Sequence, residues 1–445
     1  MTWLTAGILF LIYLNAPAVA VRMHGAPFLL GAAVPLALAI PVAYRVFVRN
    51  EELRFPKLLV AAALMLALNA VSALVSVHPH ESMDTLQTWL IEGMLLALLI
   101  ANAVRTRAEL QAAIFAIVAA GAVMGAVALA QQVLGAVEHP FFGLGQLDSE
   151  ITDASGRVQY RLAGPIGETN RFAQIMAVLI PIAASCMATS PGIRRAGYGL
   201  ATVLICGAVA FTFSRGAIVA IVLAVPFALA FRMIQIRHLI LSVAAAACLL
   251  VAMPHYAERV YSIGDVAMKG LGLSSGGLRN SDGAARGRMT EMISAGLVFL
   301  DHPILGAGPG LAPHYYDDNA GVIGGKVRQG ERRSHNLFLQ LAAETGVVGL
   351  AGFALVIAIA FQDLDRARRR LQFSDRRLWG IAVGLEVALV ISLTTSFFLH
   401  AAYIRYFWVL LGLSVSASVQ DGAPALVRFL LRMLRETAER IRADA

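Results

Sequence analysis

Lysine is almost missing from this 445-residue chain: of 36 basic residues only Lys57, Lys269 and Lys326 are lysines, leaving 33 arginines. Charge of either sign is scarce, at 14% of residues, where soluble domains carry about 25%. That scarcity excludes an ordinary soluble enzyme. Cysteine is scarce too, and Cys186, Cys206 and Cys248 all lie inside apolar runs. A disulfide framework and a cysteine metal site are both excluded. No internal repeat is visible, which argues against an array of stacked units. The net charge of +8 sits in short loops and forms no basic domain, so nucleic acid is not the partner.

What the chain has instead is apolar length. Hydrophobic residues make up 58% and the mean hydropathy is +0.71. Runs near 20 residues recur throughout, each able to cross roughly 30 Å of hydrocarbon. About twelve candidate spans fall near 3–21, 26–48, 57–77, 84–103, 108–135, 165–189, 196–213, 216–232, 238–254, 336–361, 378–400 and 403–419. The first run lacks a basic leader and a small-residue cleavage site, so it reads as a span. The expectation is an all-α polytopic membrane protein, with residues 1–420 forming its transmembrane domain.

Basic residues mark one side. Arg45, Arg49, Arg54 and Lys57, then Arg105 and Arg107, Arg194 and Arg195, Arg232 and Arg237, and the group from Arg366 to Arg377 occupy loops of the same parity. Those loops are expected in the cytoplasm, with both termini. Residues 424–445 place Val427, Leu430, Leu431, Leu434, Ala438 and Ile441 on one helical face, with arginines opposite. Such a helix rests on an anionic membrane surface. The opposite parity holds the loops 136–164 and 255–335, the second carrying a Gly/Ser-rich stretch that reads as mobile. Chemistry is expected on this outer side.

Five outward residues draw attention. Arg161 lies in YRLAGPIGETN and Arg215 in the tight FTFSRGAIV turn. Arg286 and Arg288 precede the helical segment MTEMISAGLVFL. A guanidinium near hydrocarbon costs about 2.5–3.5 kcal/mol on insertion scales, so such groups face cavities or partners. His335, in RRSHNLFLQLAAETGVVGL, follows two arginines and starts an apolar helix whose Ser334 or Asn336 can cap it. Helix amides pointing outward would attract an anion. Cationic neighbours would favour the neutral, proton-accepting imidazole, the form a general base requires. The glycines of HPILGAGPG lack GxGxxG spacing and read as a turn. His78, His80, Glu81 and Asp84, and the pair Asp317 and Asp318, read as solvated loop residues and not as a metal site.

The order of an arginine-rich loop, HPILGAGPG, a spacer and SHNLFLQLAAETGVVGL resembles the O-antigen ligase and polymerase superfamily of bacterial surface-polysaccharide glycosyltransferases. The SRG turn and RLAGPIGETN match further landmarks of that family, from about residue 160 to 360. The resemblance implies a GT-C-like membrane glycosyltransferase of about twelve transmembrane helices in the bacterial inner membrane, its active site facing the periplasm through the large loop 255–335. It implies an undecaprenyl-diphosphate-linked glycan as donor and lipid A-core as acceptor. His335 would be the general base, and Arg161, Arg215 and Arg288 would bind the donor diphosphate. The family's single loop arginine maps to Arg286 or Arg288; Arg288 is preferred as the one directly before the helical segment. Transfer would invert the sugar and need neither metal nor other cofactor. An O-antigen polymerase or a protein O-oligosaccharyltransferase shares this donor chemistry. A lipid-linked oligosaccharide flippase is the reading from another class, disfavoured because its ionisable groups would lie near the midplane.

Overall fold

The computed structural model describes residues 1–136, 139–152, 158–236, 283–323, 332, 334–399 and 405–418. The sequence-predicted span 238–254, the Gly/Ser-rich stretch before residue 283 and the segment 424–445 lie outside these. The chain is a mostly helical, polytopic membrane protein. Among the described residues eight helices are long and apolar enough to span, or up to nine counting one bent pair.

That bent pair is the first predicted span. Helix α1 (Thr2–Tyr13) and α2 (Ala16–His24) meet at 50°, because Asn15 between them is left-handed (φ 61°). Asn15 holds the bend by donating from Nδ2 to the Pro165 carbonyl at 2.9 Å. The following spans are α3 (Leu29–Val48), α4 (Lys57–Val75), α5 (Pro79–Ala103) and α6 (Arg107–Val133). Next come α7 (Thr169–Thr189), α8 (Gly192–Phe211) and the shorter α9 (Arg215–Ala230). Helix α10 (Gly283–Asp301) and the short α11 (Tyr316–Ile323) follow, then α12 (Leu337–Leu371), α13 (Arg376–Thr395) and α14 (Arg405–Ser418).

The all-helical expectation needs one correction. In the outer loop 136–164, β1 (Gln146–Thr152) pairs antiparallel with β2 (Val158–Gly164). Alternation explains it: Val158, Tyr160 and Leu162 interleave with Gln159 and Arg161 at the two-residue period of a strand.

Helix α13 is the most buried span, with 83% of its apolar window inside. Its contact with α7 depends on two glycines one turn apart. A Cβ at Gly384 would lie 2.3 Å from Ser185 Oγ, and one at Gly380 would lie 2.5 Å from Thr189 Oγ1. Lipid supplies no hydrophobic drive between spans, so this close small-residue approach, with its dispersion contacts, holds the pair.

Helix α12 breaks where its sequence reads ETG. Gly346 takes φ 63°, and the carbonyls of Ala343 and Glu344 turn to accept from Ala307 N (2.9 Å) and Gly308 N (3.0 Å). The HPILGAGPG turn thereby locks into the break. A Cβ at Gly306 (φ +74°) would come within 2.3 Å of the Glu344–Thr345 backbone, so glycine is required there. The same turn docks on the α4–α5 connection through Ser72 Oγ to Leu305 O (2.5 Å) and Ser82 Oγ to Pro309 O (2.9 Å).

Candidate functional site

His335 stands just before α12, and it is not the cap. Asn336 caps the helix, its Oδ1 accepting from Phe338 N (2.9 Å) and Leu339 N (3.1 Å). Leu337 N donates to Ser396 O at 2.8 Å and Gln340 N to Asn336 O at 3.0 Å. The expected anion seat on the helix amides is therefore corrected, since the first four are already bonded. Capping frees the imidazole for another role.

That role comes from Glu291. His335 Nδ1 lies 2.7 Å from Glu291 Oε2, with the imidazole 30% exposed and the carboxylate side chain fully buried. Sequence reasoning missed Glu291, which is 44 residues away in MTEMISAGLVFL. One signal was present: Thr290, Glu291, Ser294, Ala295 and Val298 form the buried stripe of α10, and a carboxylate on such a stripe demands a partner. A buried carboxylate on Nδ1 fixes the tautomer and steadies the imidazolium that forms when the other nitrogen takes a proton.

Arg288 is half-buried and lies three residues before Glu291, a neighbour on the helix surface. Helix α10 begins at Gly283, so Arg286 and Arg288 both lie inside it and not ahead of it. The reason for preferring Arg288 thus changes: its spacing to Glu291 puts it beside the His–Glu pair.

Arg161 and Arg215 come together through the turn before α9. Arg161 Nε donates to Thr212 O (3.1 Å) and its Nη2 to Asn170 Oδ1 (3.1 Å). Ser214 Oγ reaches the same Asn170 oxygen at 3.2 Å. Arg215 then opens α9, half-buried. The turn is tight enough to hold Phe213 at φ 53°, a strained position for a side chain of that size. Strand β2, the start of α7 and the start of α9 are thus stitched at one point.

The turn after α13 bridges this point to the histidine. Ser396 O accepts from Leu337 N, the Phe338 and Phe397 ring centroids lie 4.5 Å apart, and a Cβ at Gly216 would meet Phe398 at 3.2 Å. Beneath it, Gln174 Nε2 donates to Thr395 Oγ1 at 2.7 Å. His335, Arg161, Arg215 and Arg288 therefore sit at one end of the bundle.

The remaining outer candidates make other contacts or face solvent. Glu81 Oε1 pairs with His314 Nε2 at 2.8 Å, joining the α5 start to the segment before α11. Asp317 and Asp318 are exposed. Arg332 is exposed, and Arg333 lies outside the described residues.

Residues 200–354 match the family model described as O-Antigen ligase. The match takes in Arg215, Arg288, Glu291 and His335, and leaves Arg161 outside. It is consistent with an O-antigen ligase-type protein. No curated protein matches the chain.

Proposed function

We propose that the chain is an O-antigen ligase, moving a glycan from undecaprenyl diphosphate to a lipid A-core hydroxyl on the periplasmic face of the inner membrane. The observation that carries this reading is the His335–Glu291 pair, set at the same bundle end as three arginines. Glu291 holds Nδ1, so Nε2 is the nitrogen that takes the proton. The acceptor oxygen attacks the anomeric carbon as its O–H bond breaks toward Nε2. The bond from that carbon to the diphosphate oxygen breaks on the opposite face, and the sugar inverts. Arg161, Arg215 and Arg288 hold the charge that gathers on the departing undecaprenyl diphosphate, as guanidinium forks do for phosphate. The arginine loops 45–57, 103–107 and 371–376 meet at the other end, which supports a cytoplasmic assignment for that end and a periplasmic one for the site.

Donor chemistry is shared with a polymerase and with a protein O-oligosaccharyltransferase, so the acceptor decides. Purified protein with a lipid-diphosphate glycan is offered lipid A-core, a second donor molecule or a pilin-type protein, all in EDTA. Lipid A-core is expected to gain the glycan's mass. Gain on another acceptor would reassign the branch. Donor translocation with no new glycosidic bond would make the chain a flippase.

A further inference from the structure

A second polar group lies away from the histidine, at the start of α14. Ser418, at the far end of that helix, accepts from Arg370 Nη2 at 3.1 Å, at the arginine-loop end of the bundle. Arg405 lies thirteen residues before it, about 20 Å up a helix rising 1.5 Å per residue. It therefore sits inside a hydrocarbon layer roughly 30 Å thick, where a guanidinium is costly and marks a site.

Arg405 is incompletely satisfied. Its Nη2 reaches Glu92 Oε2 at 3.3 Å, a single contact to a carboxylate that is 44% exposed. Its Nη1 is buried with no hydrogen-bond partner among the described residues, and the same holds for the neighbouring Tyr406 hydroxyl.

Two cavities open on either side of this pair. A lateral cleft runs between α3 and α5, with Arg405 and Glu92 at its polar end and Gly31, Leu36, Leu95 and Leu99 along its apolar wall. No side chain of the Leu29–Leu36 stretch is buried, so this wall of the cleft is loosely held. The second cavity is lined by Tyr406, Gln174 and Ser392. Gln174 and Ser392 belong to the polar cluster under Ser396, whose carbonyl binds the Leu337 amide beside His335. The pair Arg405–Tyr406 thus stands between membrane and active site.

We propose that this cleft seats the lipid anchor of the acceptor, a phosphorylated glycolipid whose phosphate is held by Arg405. An apolar slot open to the bilayer takes acyl chain, and the unpartnered Arg405 nitrogen donates to an anionic head. A helix-to-helix latch alone would not leave a buried guanidinium nitrogen and a buried hydroxyl without partners. The occupant is the acceptor because the donor arginines Arg161, Arg215 and Arg288 belong to other elements. This assignment rests on the transferase reading, but its test does not.

The full-length protein is placed in zwitterionic nanodiscs, and binding of a bisphosphorylated lipid A, its dephosphorylated form and phosphatidylglycerol is measured directly. The phosphorylated glycolipid is expected to bind saturably. Arg405→Gln should weaken it roughly ten- to hundredfold, as expected for a lost charge-assisted hydrogen bond. Arg405→Lys should retain part of the binding. Leu36→Trp fills the cleft from its exposed wall and should block the lipid without touching the ion pair. Binding of the lipid-diphosphate donor should be unchanged in all three variants. Equal binding of the dephosphorylated form or of phosphatidylglycerol would overturn the site, as would unchanged glycolipid binding in Arg405→Gln or Leu36→Trp. If the glycolipid binds as described but no acceptor gains a glycan, the transferase reading fails and the site stands.

Discussion

Arg45, Arg105 and Arg368, at one end of the bundle, each close on a glutamate, whereas Arg161 at the other end reaches a backbone carbonyl and an amide oxygen. At the first end the network is dense. Glu51 lies 2.8 Å from Arg45 and 3.2 Å from Arg105. Glu109 takes Arg45 on one oxygen, and on the other the amides of Arg105 and Thr106, both at 3.0 Å. Asn102 joins in through the Arg54 backbone, and Arg107 reaches Asp375 at 3.5 Å. These arginines neutralise carboxylates of their own chain and tie helix ends together. At the other end the buried carboxylate, Glu291, is given to a histidine. The first is a holding end, and under the proposed function the second is the reactive one.

Breaking the reactive end should cost the most activity and little stability. His335→Ala should reduce transfer by about 10²–10⁴-fold, the usual worth of a general base. Glu291→Gln should approach that loss, since an amide no longer stabilises the imidazolium. Donor binding should survive both, as measured with a non-transferable lipid diphosphate. An active His335→Gln protein would remove the histidine from the proton transfer and collapse the distinction between the two ends.

Breaking the holding end should do the reverse. Arg45→Met leaves Glu109 buried with one oxygen uncompensated, and removing one partner of a buried pair costs about 3–5 kcal/mol. Denaturation in mixed micelles should show that loss, while transfer per folded molecule stays at the parent level. A matching fall in specific activity would mean that the network is coupled to the site.

The smallest effect should be the pH dependence of Glu51. Burial raises its carboxyl, but the Arg45 hydrogen bond and the charges of Arg45, Arg105 and Arg49 outweigh burial and hold it below its ordinary value of 4.5. A lowered carboxyl stabilises the fold at neutral pH, and the contribution fades only as acid reaches the folded-state value. Glu51→Gln should therefore cost on the order of 1 kcal/mol at pH 7, as a partly exposed pair does. That difference should narrow in acid below the ordinary carboxylate range. A difference independent of pH would assign the loss to packing and not to charge.

The lipid-facing architecture was legible because it is a sum of local preferences. Apolar length set the spans, with the bend at Asn15 unforeseen because a left-handed asparagine carries no hydropathy signal. Same-parity arginine loops do meet at one end, as Arg107–Asp375 and the Arg45–Glu51–Arg105 group record. His335, Arg161, Arg215 and Arg288 were singled out by polarity out of place against apolar runs, and the fold puts them at one end of the bundle.

What only the tertiary structure decided is which of these groups meet, and through what. Glu291 belongs to a helix outside the spans, and its pairing with His335 depends on how α10 docks on α12, which no local period encodes. Arg161 joins the turn before α9 because a hairpin folds back over the start of α7. The glycines of HPILGAGPG found their purpose in the break of α12, where freed carbonyls needed donors. Hydropathy and loop charge act residue by residue against the membrane, so sequence determines them alone. Contacts across 44 or 51 residues depend on packed surfaces, whose register exists only once the helices are in place.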